Sequence, residues 1–156
     1  MGLGKAGYAA KKASSVFSSL GFSSYFLNPA EALHGDIGML KSDDIIIAYS
    51  TSGKTREVIE TLRLSEGLDV SKIIAITSHE DAKIRDYADI EIDMGEIEEA
   101  GYLNIAPTTS ILVMLAISDI IATASAQVAG FTLSDYAKRH HAGYLGGKAR
   151  GDGQIH

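Results

Sequence analysis

The chain has 156 residues, and its 14 Lys and Arg against 20 Asp and Glu give a formal net charge of −6. That length can bury a full core in one domain, and the hydrophobic and charged shares, 46% and 22%, are typical of a soluble globular domain rather than a disordered or fibrous one. The acidic balance argues against general nucleic-acid binding, and the lack of cysteine excludes disulfides, thiolate metal sites and cysteine nucleophiles.

Helix and strand patterns alternate along the sequence. In chain order, the predicted elements are a helix over Ala6–Leu20, a strand over Phe22–Leu27, a strand over Asp43–Tyr49, a helix over Thr55–Leu64, a strand over Lys72–Thr77, an edge strand over Ala88–Asp93, and helices over Pro107–Val128 and Thr132–Arg139. The continuous β-branched runs before Tyr49 and Thr77 are typical of parallel strands covered on both faces. The pattern predicts an α/β domain with a mostly parallel sheet.

The longest apolar run, 111–126, is interrupted by Ser118, Asp119, Thr123 and Ser125. It is shorter than the roughly 20 apolar residues of a membrane span, and we expect it to form a buried helix. The first residues lack the apolar core of a signal peptide. We therefore expect a cytoplasmic protein that binds neither membrane nor nucleic acid.

The segment Ser50–Thr55 joins the end of a buried strand to the start of a helix. Its hydroxyl side chains can donate hydrogen bonds, Gly53 lets the backbone approach a ligand, and the first-turn N–H groups point towards an anion. The hydroxyl residues are Ser50, Thr51, Ser52 and Thr55. An ordinary helix cap needs fewer hydroxyls, so we predict a phosphate-binding loop. It is not a Walker A loop, because Ala48 stands where the first glycine is required.

A glycine-rich turn, Gly2–Gly7, opens the sequence and leads directly into the first helix. Lys5 places a cation on this turn, where it either contacts a ligand or is a solvated lysine near a helix start. A turn of this type normally follows a strand, and none precedes it here. We therefore expect that the first strand of the sheet is missing from this sequence.

Two groups of carboxylates are candidates for acid–base chemistry. Glu57 falls in the first helical turn after the phosphate-binding loop, where it either faces a bound phosphosugar or interacts with the helix dipole. Glu96, Glu98 and Glu99 form an acidic run before Pro107, which is either a solvated face or part of a site.

Histidines titrate near neutrality and can move protons or stabilise a developing oxyanion. His34 follows the first predicted strand in a loop, and His140 and His141 follow the last predicted helix. No spacing of histidines and acids matches a known metal-ligand set, so no metal site is predicted.

Several segments together resemble the sugar isomerase (SIS) domain family, and within it the arabinose 5-phosphate isomerase branch. These segments cover nearly the whole chain and are Gly2–Gly7, Pro29–Gly38, Ser50–Gly53, Leu103–Ser110, Gly130–His140 and Leu145–Gly146. The Ser-x-Ser-Gly loop marks the superfamily. The Glu-Ala-x-His-Gly-Asp segment at 31–36 and the late histidine indicate the isomerase branch.

The resemblance implies a three-layer αβα fold with about five parallel strands, phosphosugar binding, no organic cofactor, and interconversion of aldose and ketose phosphates. It also implies a homodimer or homotetramer with active sites shared between subunits. By motif position it assigns catalytic roles to Lys5, Glu57, Glu99 and His140. It assigns phosphate binding to Ser50, Thr51, Ser52 and Thr55, and substrate binding to His34.

This sequence departs from the branch in three ways. Arg139-His140-His141 stands where the branch has Ser-His-Pro, and Lys54 stands where it has an acid, which leaves the identity of the sugar open. The tandem CBS domains that often follow are missing. We therefore expect one stand-alone SIS domain over residues 1–146 and a flexible tail over 147–156.

The hypothesis for the reaction is proton transfer through a cis-enediol. Glu99 or Glu57 removes the proton beside the carbonyl, and Lys5 or His140 stabilises the enediolate oxygen or moves protons between the two oxygens. The alternatives are a phosphosugar sensor that binds without chemistry and an isomerase of a hexulose 6-phosphate. A sensor does not need all four catalytic residues, which favours the enzyme.

Overall fold

The computed structural model of the chain describes residues 1–152, which form two compact units. The first unit contains residues 1–12 and 26–116, and the second contains residues 13–25 and those from 117 onwards. The elements are α1 (Gly4–Ser19), α2 (Pro29–Ala32), β1 (Ile45–Tyr49), α3 (Arg56–Ser65), β2 (Lys72–Thr77), β3 (Ile90–Asp93), α4 (Thr109–Val128), α5 (Leu133–Arg139) and α6 (Gly143–Arg150), with 3₁₀ turns at Asp36–Met39, Glu66–Leu68 and Lys83–Tyr87.

The sheet is parallel, with its strands in the order β1-β2-β3. Tyr49 lies opposite Ile76 at the end of the first pair. On the outer side of β1, Gly2 forms a parallel bridge with Tyr49, whose N–H donates to the carbonyl oxygen of Met1 at 3.0 Å. The predicted α/β class with a parallel sheet is confirmed. Within residues 1–152 the sheet has three strands, not about five.

The predicted strand over Phe22–Leu27 is wrong, because this segment does not pair with the sheet. The Phe22 N–H donates to the carbonyl oxygen of Phe17 at 3.0 Å, and the Ser18 hydroxyl donates to the carbonyl oxygen of Ser24 at 3.0 Å. These backbone groups bond to the end of α1, so they do not need a neighbouring strand.

The core of the first unit forms where α3 covers one face of the sheet. Side chains alternate between the two faces of a strand, and alternate residues of β1 and β2 contribute to the same cluster. The buried members are Met1, Leu27, Ala32, Ile46, Ala48, Val58, Leu62, Ile73, Ala75 and Ile84. The small side chains of Ala48 and Ala75 are fully buried in this cluster.

Helix α4 is buried along one narrow stripe. The buried residues recur every fourth position and are Ser110, Met114, Ser118, Ala122 and Ala126. Leu112, Ile120 and Val128 on its other faces are exposed. With a mean hydropathy of 1.9, α4 is long and apolar enough to cross a membrane, a test that core helices of soluble proteins also pass. The prediction of a buried helix therefore holds only for the stripe.

The second unit carries α5 and α6. The start of α5 is a capping box in which the Asp135 N–H donates to the Thr132 hydroxyl at 3.2 Å and the Thr132 N–H donates to the Asp135 carboxylate at 3.1 Å. The predicted helix over Thr132–Arg139 is confirmed to within one residue. Helix α6 continues to Arg150, so the expected tail over 147–156 begins as helix, and its last four residues lie outside the described part of the chain.

Candidate functional site

Four segments leave the sheet at its carboxyl edge, because parallel strands all end on the same side. The glycine turn follows Gly2, and the phosphate-binding loop follows β1. Residues 78–82 follow β2, and residues 94–108 follow β3, where the Met94 N–H donates to the carbonyl oxygen of Thr77 at 2.8 Å. Ligands of open α/β sheets bind at this edge. Lys5, the phosphate-binding loop and Glu99 all lie on segments that start there.

Residues 50–55, the segment predicted to bind phosphate and called the phosphate-binding loop for that prediction, are folded by their own hydroxyl groups. The Ser50 hydroxyl accepts from the Gly53 N–H at 3.1 Å and lies 3.0 Å from the Thr55 hydroxyl. The Ser52 hydroxyl accepts from the Lys54 N–H at 3.2 Å. These bonds hold the loop in one curved conformation at the start of α3.

The start of α3 has no side-chain cap. Thr55 is the N-cap residue, but its side chain accepts no bond from the helix and lies instead beside the Ser50 hydroxyl. The N–H groups in the first turn of a helix have no intrahelical acceptor. The helix start therefore offers backbone donors and the positive end of the helix dipole, a combination that can bind an anion.

Gly53 is required by both backbone conformation and packing. Its φ of +63° is left-handed, and a Cβ added there would lie 2.2 Å from the Ala82 Cβ and 3.0 Å from the Thr77 hydroxyl. The Gly53 carbonyl accepts from the Ile84 N–H at 3.1 Å, and the Thr77 hydroxyl donates to the carbonyl oxygen of Thr51 at 3.1 Å. The loop is therefore clamped to the segment that follows β2.

Gly53→Ala is expected to lower the free energy of unfolding by about 2–4 kcal/mol, because the new methyl must displace Ala82 and adopt a left-handed backbone. Urea unfolding monitored by circular dichroism measures the change. Gly67→Ala is the matched control, since Gly67 is exposed with open space around its Cα, and it should change stability by less than about 0.5 kcal/mol. Equal stability of Gly53→Ala and the unmodified protein would contradict the close packing.

Backbone conformation at Gly4 and close backbone contacts at Gly2 and Gly7 explain the glycines of the opening turn. Gly2, Gly4 and Gly7 follow the G-x-G-x-x-G spacing of dinucleotide-binding turns, a spacing that is a weak signal alone. Gly4 has a φ of +58°, a Cβ at Gly2 would lie 2.9 Å from the Ala6 carbonyl oxygen, and one at Gly7 would lie 2.8 Å from the Gly2 carbonyl oxygen. This close backbone packing brings Lys5, which is exposed, onto the first turn of α1.

Glu99 binds the start of α4. Its carboxylate accepts hydrogen bonds from the Thr108 N–H at 2.8 Å, the Thr108 hydroxyl at 3.2 Å, the Ser110 N–H at 3.2 Å and the Ser110 hydroxyl. Desolvation is the largest single effect and raises the pKa of Glu99, but the bonds from Ser110 and Thr108 together lower it from 4.5 to about 2. Glu99 is therefore ionised near neutral pH and acts as the cap of α4.

Glu99→Gln is expected to lower the free energy of unfolding by about 1 kcal/mol at pH 7, because an amide is a weaker cap than a carboxylate. The folded pKa is depressed, so the extra stability of the carboxylate is complete above pH 4.5 and is lost as the pH falls towards about 2. Urea unfolding at pH 7, 5 and 3 should show the difference between the two proteins shrinking at pH 3. Glu98→Gln, at an exposed neighbour, is the control. A pH-independent difference would contradict the assignment.

Glu57 and His34 are placed differently from Glu99. Glu57 is half-buried in the first turn of α3, and its carboxylate makes no hydrogen bond or ion pair within residues 1–152. His34 is exposed just after α2, where its backbone N–H donates to the carbonyl oxygen of Glu31 at 2.9 Å. No hydrogen bond in the described part of the chain joins either side chain to the phosphate-binding loop.

His140 belongs to the second unit, at the end of α5. Its ring stacks on Tyr136 with the ring centroids 3.8 Å apart and the planes at 4°, and its Nδ1 lies 3.2 Å from the Tyr136 carbonyl oxygen. Arg150 Nη1 donates to the His140 carbonyl oxygen at 3.1 Å. A Cβ at Gly146 would lie 2.1 Å from the same oxygen. Tyr136, Gly146 and Arg150 therefore fix the position of His140.

Gly146→Ala is expected to displace His140 and to lower the free energy of unfolding by about 1–3 kcal/mol, because the added methyl overlaps the His140 carbonyl oxygen. The imidazole NMR signals of His140 and urea unfolding measure the two effects. Lys148→Ala, at an exposed position on the same helix, should leave both unchanged. Unshifted His140 signals in Gly146→Ala would show that α6 does not position this residue.

A comparison with known protein families matches residues 1–124 to the SIS domain. The chain belongs to the SIS domain family. This result confirms the family resemblance drawn from the motifs, and the match includes every predicted site residue except His140.

This SIS domain is similar to proteins named as isomerases. It is 38% identical over 146 residues to the arabinose 5-phosphate isomerase KdsD of Pseudomonas aeruginosa, in an alignment that covers 94% of this chain and 44% of that protein. The solved structure of E. coli CFT073 c3406 in complex with arabinose 5-phosphate has a TM-score of 0.84 at 33% identity, covering 89% of this chain and 73% of that one. A protein of Bacteroides fragilis NCTC 9343 has a TM-score of 0.87 at 40% identity, covering 92% and 75%. The chain spans less than half the length of the curated relative.

Several contacts of the predicted site residues could not be found from the sequence pattern. Ala82 and Asp81 contact the phosphate-binding loop from about 30 positions away, and Gly146 contacts His140. The glycines alone indicated close backbone contacts in the sequence, and a glycine does not indicate which distant residue makes the contact. Among residues 1–152, no three His, Asp or Glu side chains converge closely enough to hold a metal ion.

Proposed function

We propose that this SIS domain is an aldose–ketose isomerase that interconverts arabinose 5-phosphate and ribulose 5-phosphate. The observation that carries the proposal is the uncapped start of α3, surrounded by hydroxyls at the carboxyl edge of the sheet. Relatives that are named arabinose 5-phosphate isomerases, and a similar structure solved in complex with arabinose 5-phosphate, support the choice of substrate.

The phosphate group binds at the start of α3. The N–H groups of the first helical turn donate to it, and the hydroxyls of Ser50, Thr51, Ser52 and Thr55 complete the site. This binding is remote from the reacting carbons, so its energy serves to place them against the catalytic groups. His34 contacts the sugar in this proposal.

The chemistry is a proton transfer between neighbouring carbons through a cis-enediol. A carboxylate removes the proton from the carbon beside the carbonyl, the electron pair moves to the carbonyl oxygen, and the same carboxylate returns the proton to the former carbonyl carbon. A second proton moves from the hydroxyl oxygen to the other oxygen. Lys5 and His140 stabilise the enediolate oxygen and carry this second proton.

The two candidate bases differ in their surroundings. A general base works best with a pKa near the operating pH, and the pKa of Glu99 is about 2 because its carboxylate caps α4. The Glu57 carboxylate makes no bond within residues 1–152 and stands in the first turn of the helix that binds the phosphate. We therefore assign the base to Glu57 and a positioning role to Glu99.

The proposed enzyme is a homodimer or homotetramer with active sites shared between subunits. Helix α4 supports this, because its exposed side chains include Leu112, Ile120 and Val128, which a second subunit would cover. We therefore propose that a second subunit, rather than a membrane, covers these exposed side chains in a cytoplasmic enzyme.

The test is an assay of ribulose 5-phosphate formation from arabinose 5-phosphate. Glu57→Gln should lower kcat by about 10²- to 10⁴-fold with little change in KM, as expected for loss of a general base. Glu99→Gln should retain more activity than Glu57→Gln. Glu60→Gln, one turn further along α3, is the matched control and should leave both constants unchanged.

Three outcomes would revise the proposal. Binding of arabinose 5-phosphate without turnover would indicate a sensor. Turnover of a hexulose 6-phosphate in place of the pentose would change the substrate. A larger loss of kcat in Glu99→Gln than in Glu57→Gln would reverse the assignment of the base.

A further inference from the structure

Lys54 places a positive charge inside the phosphate-binding loop. The backbone N–H of Lys54 donates to the Ser52 hydroxyl at 3.2 Å, and Lys54 lies one residue before the N-cap of α3. Arg56, the first residue of α3, adds a second cation. The positive end of the helix dipole opposes cations at this position, where acidic residues are the favourable choice. Glu57 in the same turn offsets part of this repulsion, and an anion bound at the helix start would offset more of it.

In the free protein, the Lys54 ammonium is neutralised by Asp81. Its Nζ lies 2.5 Å from an Asp81 carboxylate oxygen, and this bond is the main cause of the lowered pKa of Asp81. Asp81 lies on the segment after β2 that is clamped to the loop through Gly53 and Ala82. The two side chains are 51% and 69% exposed, so solvent screens the pair and it exchanges readily.

We propose that Lys54 is a further phosphate-binding residue, and that Asp81 is its counter-ion until the phosphate group of the substrate displaces it. The proposal rests on the proposed function and adds a charge exchange to it. A phosphate monoester carries nearly two negative charges at neutral pH and three acceptor oxygens, so it is a stronger partner for an ammonium than one exposed carboxylate. The helix start and the hydroxyls hold the same phosphate, which brings it within reach of the loop that carries Lys54.

Lys54→Ala is expected to raise KM for arabinose 5-phosphate by about tenfold and to change kcat little. A tenfold change corresponds to the lower end of the range for a hydrogen bond between charged groups. It should also weaken the competitive inhibition by inorganic phosphate. Lys83→Ala is the matched control, because Lys83 is an exposed lysine on the neighbouring 3₁₀ turn, paired only loosely with Asp86 at 3.9 Å. It removes the same charge outside the loop and should leave KM unchanged.

Asp81→Asn gives the sharper test because the two explanations predict opposite signs. If Asp81 competes with phosphate for Lys54, its neutralisation should lower KM by about two- to threefold, the strength of an exposed ion pair. If the pair only braces the loop, breaking it should raise KM. In the Lys54→Ala background, Asp81→Asn should have no effect on KM, since the competition has been removed.

The outcomes separate this inference from the proposed function. An unmodified protein that fails to turn over arabinose 5-phosphate overturns the proposed function. Calorimetry of inorganic phosphate binding then still tests Lys54, with Lys54→Ala, Lys83→Ala, Asp81→Asn and the double variant of Lys54 and Asp81. Turnover with an unchanged KM in Lys54→Ala, or with a raised KM in Asp81→Asn, overturns the charge exchange and leaves the isomerase in place.

Discussion

Parallel pairing of the strands is the constraint on which the site depends. Because β1, β2 and β3 all run in one direction, every segment that follows a strand leaves at the same edge. The bridge between Gly2 and Tyr49 adds the glycine turn to that edge. Four distant parts of the sequence therefore start from one edge of the sheet. The same geometry places the start of α3 directly beyond β1, where a helix can meet a ligand end-on.

The phosphate-binding loop and the segment before α4 use polar groups in opposite ways. In the loop, the hydroxyls of Ser50 and Ser52 bond to the loop itself, and the donors of α3 are left free. Before α4, Glu99 takes up the free donors of that helix. One helix start thus has no side-chain cap, and the other is capped by a carboxylate. This contrast gives the two glutamates different surroundings although both lie on segments that start from the same edge.

The sequence patterns predicted those features that are set by neighbouring residues. The apolar run of Lys72–Thr77 matches β2 at both ends, and the hydroxyl-rich segment after Tyr49 is the loop at the start of α3. Phe22–Leu27 was wrongly predicted as a strand because its propensity is local, whereas its hydrogen bonds go to the end of α1. Contacts between distant residues, such as Glu99 with Ser110 or Lys54 with Asp81, depend on how loops fold at the edge. No periodicity or motif carries that information.

The buried residues of α4 recur every fourth position, so substitutions on its buried stripe and on its exposed faces should have different effects. Ser110, Ser118, Ala122 and Ala126 are small, Met114 is the one large side chain of the stripe, and Leu112, Ile120 and Val128 are exposed on the other faces. In the proposed assembly those side chains lie between subunits. Replacing Met114 would therefore alter the fold of each subunit, whereas replacing Leu112 or Ile120 would change how stability varies with protein concentration. A single helix would then report on folding along one face and on association along the others.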